Sequence, residues 1–166
     1  MSELAAGRSL RYALDFEQAH DDFASLVSSL TDEQWRKVGR NHPQRLNDED
    51  EGRTVGVIAH HAADSEQVIL DRIYALLEGR PPKPFDFKAV NAAHAASHAQ
   101  VTRDEVIKLL RDNRDRITEA VSAIPDEELD RMRDTPVGPM SIAQRLERVM
   151  IGHLKQHQGS IQAAIS

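Results

Sequence analysis

The chain has 166 residues, a net charge of −6, 40% hydrophobic and 4% aromatic content, and no cysteine. That length can bury a core. Sparse aromatics and dense charge suit a helical bundle better than a β-sandwich, and the acidic balance without a basic stripe argues against nucleic acid or an anionic membrane as partner. Without cysteine there is no disulfide framework, thiolate zinc site or Cys nucleophile, and no run is long enough to span a bilayer or direct secretion, so a cytoplasmic location is expected.

The first helical segment is expected from about Arg8 to Leu30, where Phe16, Ala19, Phe23, Leu26, Val27 and Leu30 recur at spacings of three and four. His20 borders that face, and His42 falls in the turn-like NHPQ; neither has a spacing that argues for chemistry. Trp35 is expected to anchor one end of the bundle. A second helix begins at Thr54, a plausible N-cap, and runs to Glu78, where Gly79 and RPPKP end it. Residues 79–101 form a long connection whose stretch FDFKAVNAAHAASHAQ has room for a short helix. Thr102 with Glu105 makes a capping box for the third helix, closed by Pro125, and Ser141 with Gln144 does the same for the fourth, which continues almost to Ser166. No segment shows the alternation of a half-buried strand. The expectation is an all-α four-helix bundle, one domain over residues 1–166. The long crossover would let helices two and three run parallel.

On the fourth helix, a 100° wheel centred on Leu146 places Ile142, Val149, Met150 and Ile161 within about 60° of that origin. His153 and His157, spaced i and i+4, fall within about 20° of it, at the middle of the apolar arc. On the second helix His60 and His61 are adjacent, and the wheel separates them. His61 lies about 60° from the inward line through Ile58, whereas His60 lies about 160° away, beside Val57, Asp64 and Asp71. Two imidazoles one turn apart can reach the same ion, and a third from a facing helix would complete a triangular cap with an open position. Imidazole nitrogen suits zinc, nickel, iron or copper, and hard cations such as magnesium prefer oxygen.

His94 and His98 are also i and i+4, within the crossover, where as a lid over the site they could bind substrate, relay a proton or add a ligand, or else form an exposed Ala-rich helix. Asn113 sits at the centre of the third helix's apolar arc with Val106, Leu110, Ile117 and Val121. It could orient a metal-bound His or bond a neighbouring helix's backbone, and the latter is favoured. Asp64 and Glu66 lie off the inward arc, so exposure is expected for both. There is no Gly-rich phosphate loop, no nucleophile elbow and no inward carboxylate pair.

The segments RTVGVIAHHAADSEQ and HLKQHQGSI resemble the DinB/YfiT-like superfamily of metal-dependent enzymes. Its motifs have the form [ST]-V-x-x-[LIV]-x-x-H-x-A-D and H-x-x-x-H-x-x-Q-[IL]. Counted from Thr54, the first motif's histidine falls on His61, and the second motif's pair falls on His153 and His157. Ser160 stands where Gln is frequent. The resemblance implies an up-down-down-up bundle holding one divalent ion, zinc or nickel, on these three histidines. It further implies a small-molecule substrate and either hydrolysis or transfer or isomerisation with a low-molecular-weight thiol. A bundle of this size often pairs, so a homodimer is expected. The alternative is a non-enzymatic, stress-related binding or assembly protein whose inward histidines are structural.

Overall fold

Thr54, Thr102 and Ser141 each accept a hydrogen bond from the backbone N–H three residues on, so the sequence's own capping groups set where three long helices begin. In the computed structural model, which describes residues 7–40, 52–80 and 83–166, these helices are α3 (Val55–Leu77), α5 (Arg103–Ser122) and a C-terminal helix. The C-terminal helix consists of α6 (Ile142–Gln144), a π-helical stretch (Arg145–Ile151) and α7 (Gly152–Ile165). The fourth long helix, α1 (Arg8–Ser29), has Gly7 at its N-cap and no side-chain cap of its own. Asp126, from the far end of α5, supplies it: its two carboxylate oxygens accept from the Arg8 and Ser9 N–H groups at 2.8 and 2.9 Å. His42 lies outside the described residues.

Each long helix turns one apolar stripe inward. Phe16, Phe23 and Val27 of α1 meet Ile58 and Ile73 of α3, Leu110 and Ile117 of α5, and Leu146, Leu154 and Ile161 of the C-terminal helix in one buried cluster. α1 packs against α5 and the C-terminal helix, as does α3, which puts α1 and α3 on a diagonal. Hydrogen bonds at the ends show which way the helices run. Trp35 Nε1 donates to the Val101 carbonyl oxygen and Arg103 to that of Leu30, so α1 ends where α5 begins. Tyr74 Oη donates to the Ala120 carbonyl oxygen at 2.7 Å, bringing together the last turns of α3 and α5.

Shorter elements close the bundle. α2 (Asp32–Arg36) carries Trp35 over the first turn of α3. α4 (Phe87–Ser97), capped by Asp86, occupies the crossover between α3 and α5. An antiparallel hairpin, β1 (Met132–Thr135) with β2 (Gly138–Ser141), leads into the C-terminal helix. The sequence reading had no strand here. Four residues per strand are too few to display an alternation, and the turn at Gly138, with φ of 104°, is what permits the pairing.

At Gly56 the backbone lies directly under the indole, and a Cβ there would fall 2.6 Å from Trp35 ring atoms. Gly56→Ala is therefore expected to displace Trp35 from Val101 and cost about 1–3 kcal/mol. Urea denaturation followed by tryptophan fluorescence would measure this, and an unchanged midpoint and spectrum would contradict the packing described.

Candidate metal centre

α3 and α7 present His61, His153 and His157 to one another from facing helices. His157 is fully buried and the other two are half-buried. One ring nitrogen from each lies within 4.8 Å of the others. The His153 and His157 Nε2 atoms are 3.0 Å apart. The three ring centroids are separated by 5.1, 4.9 and 4.3 Å with interplanar angles of 62°, 84° and 79°.

This arrangement suits coordination of an ion. An imidazole lone pair lies in the plane of its ring, so three rings set edge to face can aim three lone pairs at one point. Two tetrahedral bonds of about 2.0–2.1 Å place their nitrogens about 3.3 Å apart, close to the observed His153–His157 spacing. The donor set is all imidazole nitrogen, which suits borderline transition ions and not magnesium or calcium.

A second group, His60, His94 and His98, also brings three ring nitrogens within 4.8 Å. Its geometry differs. The rings stack at 3.9–5.0 Å with their planes only 21–29° apart, so their lone pairs run side by side. His60 Nδ1 and His94 Nε2 share a hydrogen bond of 2.7 Å, and His98 Nδ1 donates to the His94 carbonyl oxygen at 2.9 Å. This stack joins α4 to α3. His94 also meets His61 edge-on at 5.4 Å, so the two clusters touch. Burial, and then repulsion from His98 and His60, holds the His94 pKa down at about 4.

Beside the first cluster opens a cleft of about 300 Å³, bounded by His61, His153, Asp64, Arg72, Phe87 and His94. α4 forms its outer wall, which places His94, though not His98, on the cleft. Asn113 points elsewhere. Its Nδ2 donates to the Ala63 carbonyl oxygen at 3.0 Å and to Glu66 Oε2 at 2.9 Å, and its Oδ1 accepts from Arg116 at 2.8 Å. Glu66 is not exposed as expected: it is 2% accessible and its Oε1 lies 2.6 Å from His20 Nδ1. The wheel placed Glu66 off the arc through Ile58, but α5 covers that flank of α3. His20, Glu66, Asn113 and Arg116 form a polar network that ties three helices together.

Periodicity gives no signal for Arg72 or Arg145, and it turns His60 outward. His60 was assigned to the outer face of α3, and α4 covers that face. Val57 on the same side is itself buried, and an apolar residue there was the available signal. Arg145 opens the π-helical stretch, where each turn holds an extra residue, so a wheel advancing 100° per residue loses its phase.

The fold and cluster together define a four-helix bundle with a three-histidine centre beside a cleft. The chain belongs to the DinB superfamily, whose family model matches residues 15–161. Among solved structures it is similar to YfiT from Bacillus subtilis, described as "a probable metal-dependent hydrolase with an unusual four-helix bundle topology". The TM-score is 0.73 at 20% identity, covering 99% of this chain and 87% of that one, a likeness of fold. No curated protein matches the chain. No described helix is long and apolar enough to cross a membrane.

Two predictions follow from the packing around these clusters. Asn113→Ala leaves the buried Glu66 carboxylate short of a donor and should cost about 1–3 kcal/mol in chemical denaturation; an unchanged midpoint would contradict the network. For His94, the unfolded chain takes up a proton near pH 6.5, whereas the fold resists until about 4. Its contribution to stability is thus complete above pH 6.5 and is lost as pH falls towards 4. In metal-free protein, His94→Asn should lose less stability than wild type between pH 7 and pH 5, and an equal loss would contradict the assignment.

Proposed function

We propose that this chain is a metal-dependent enzyme in which His61, His153 and His157 hold one divalent transition ion, zinc or nickel, facing a small-molecule cleft. The carrying observation is the edge-to-face arrangement of three imidazoles at the wall of that cleft. The stacked cluster at His60 does not aim its lone pairs at one point, and we assign it the role of fastening α4 over the site. When bound, the ion would supply Lewis acidity, polarising a carbonyl group or promoting ionisation of water or a thiol.

The chain's own groups divide the remaining work. α3 and α7 fix the three rings from opposite sides, so the ligands are positioned by packed helices and not by loops. Val149 at the cleft wall and Val90 and Phe87 on α4 narrow the approach and limit water. His94 Nδ1 is buried without a hydrogen-bond partner, and Asp64 on the rim is an exposed carboxylate. These two groups are placed to accept and return a proton. Hydrolysis is the favoured reaction, supported by the description of the YfiT neighbour. Transfer or isomerisation with a low-molecular-weight thiol uses the same open side of the site.

Metal analysis of purified protein tests this reading. Wild type should carry about one ion per chain, and His153→Ala/His157→Ala should carry none while retaining its helical circular dichroism. His60→Ala should keep the ion. A double variant that keeps full stoichiometric metal would sink the proposal, and one that unfolds under conditions where metal-free wild type stays folded would favour structural histidines.

A further inference from the structure

Burying a guanidinium is costly unless an acid or another acceptor meets it, because the group stays charged at any physiological pH. Elsewhere in this chain even arginines that are exposed or half-exposed meet acids. Arg114 is gripped by Asp21 through two hydrogen bonds of 2.7 Å, and Arg8 by Asp130 through two of 2.7 and 2.8 Å. The partly buried Arg133 reaches Glu128 at 3.2 Å through its Nη2, although its Nε, like that of Arg145, has no acceptor.

Arg145 and Arg72 break the pattern. Arg145 is only 7% exposed, yet its Nε is buried with no acceptor, and no carboxylate pairs with it among the described residues. Arg72 has no ion pair there either. Its guanidinium lies over the Phe85 ring, 4.3 Å from the centroid, and 5.9 Å from that of Phe87. Both side chains line one cavity of about 490 Å³, whose wall also carries Arg80 and Lys83. Arg80 is held by Glu78 at 2.7 Å. The one carboxylate among its described lining residues, Asp71, accepts from Gln67 Nε2 at 2.6 Å. The described lining is cationic, and Arg72, Arg145 and the exposed Lys83 have no ion pair among the described residues.

This cavity continues into the cleft beside the histidine cluster, for Val68, Arg72, Phe85 and Phe87 line both. Along α3, His61, Val68 and Arg72 lie at i, i+7 and i+11, on one face. Eleven residues at 1.5 Å each put His61 and Arg72 about 16 Å apart along the helix axis. Between them the lining is mostly apolar, with Val68, Ile69, Val90 and Val149, and Asp64 and Ser65 lie towards the His61 end. Arg145 reaches the cationic end from the first residue of the π-helical stretch, a distortion frequently found at functional sites.

We propose that Arg72 and Arg145 form a subsite for the oxyanion, carboxylate or phosphate, of an organic substrate with an apolar stem. As an orienting device for catalysis, the subsite rests on the metal-dependent reading above, since the stem would then direct the far end of the substrate towards His61, His153 and His157. As an anion site it stands without the ion. Guanidinium pairs recognise both carboxylate and phosphate through paired N–H donors, and Phe85 and Phe87 supply the surface for the hydrocarbon part.

Calorimetric titration with hexanoate, hexyl phosphate and neutral hexanamide tests the subsite on the full chain, with and without metal. Wild type should bind at least one of the two anions at least tenfold more tightly than hexanamide, and the preferred anion identifies the head group. Arg72→Met and Arg145→Met should each weaken that binding tenfold or more and leave metal content unchanged. Removing an unpaired buried charge should also leave the Tm of ligand-free Arg145→Met equal to or above that of wild type. The proposal is overturned if neither anion outcompetes hexanamide, or if the folded Arg72→Met/Arg145→Met protein binds both anions as wild type does. A lowered Tm in Arg145→Met with unchanged anion affinity would instead make that guanidinium structural. His153→Ala/His157→Ala protein should still bind the anion, so failure of the metal reading and failure of the subsite register separately.

Discussion

Three imidazoles cannot be set into the apolar seam of a helical bundle unless something uses their lone pairs. Much of the architecture is arranged around that constraint. His153 and His157 are one turn apart on α7, so one helical face delivers both, and His61 on α3 meets them because α3 and the C-terminal helix are neighbours. His157 is fully buried, as are Ile58, Leu154 and Ile161 on the same two helices. The outer side is left to a cleft under α4.

Polar groups elsewhere in the core resolve their burial in a different way. Glu66 receives Asn113 and lies against His20, a closed set in which the carboxylate and the amide both have partners. The His60–His94–His98 stack satisfies itself largely through its own rings and the His94 carbonyl oxygen. His61 and His153 on one side and Arg72 and Arg145 on the other instead line open volume. One cleft connects them, with imidazole nitrogens at one end, guanidinium groups at the other and mostly aromatic and aliphatic side chains between.

Periodicity and capping made the four long helices legible. Thr54, Thr102 and Ser141 cap as their sequence contexts indicated, and the Ala-rich crossover holds α4. The same wheel that chose His61 over His60 brought His61 to the face that meets α7. What it could not reach was any feature decided by a neighbour. His60 and Glu66 read as outward because one helix gives no information about which others cover its flanks. Arg145 was hidden by a π-helical stretch that only the packed chain displays, and the β1–β2 hairpin by strands too short to show a period. Arg72 carried no signal in spacing, since the absence of an acid around a charged group is a property of three dimensions.

Whether His61, His153 and His157 hold the ion can be seen by metal-edge anomalous diffraction from crystals of the purified protein. One strong peak per chain is expected, within bonding distance, about 2.0–2.1 Å, of a ring nitrogen from each of these three residues. A peak within the His60, His94 and His98 stack, or no peak in metal-replete crystals, would contradict it.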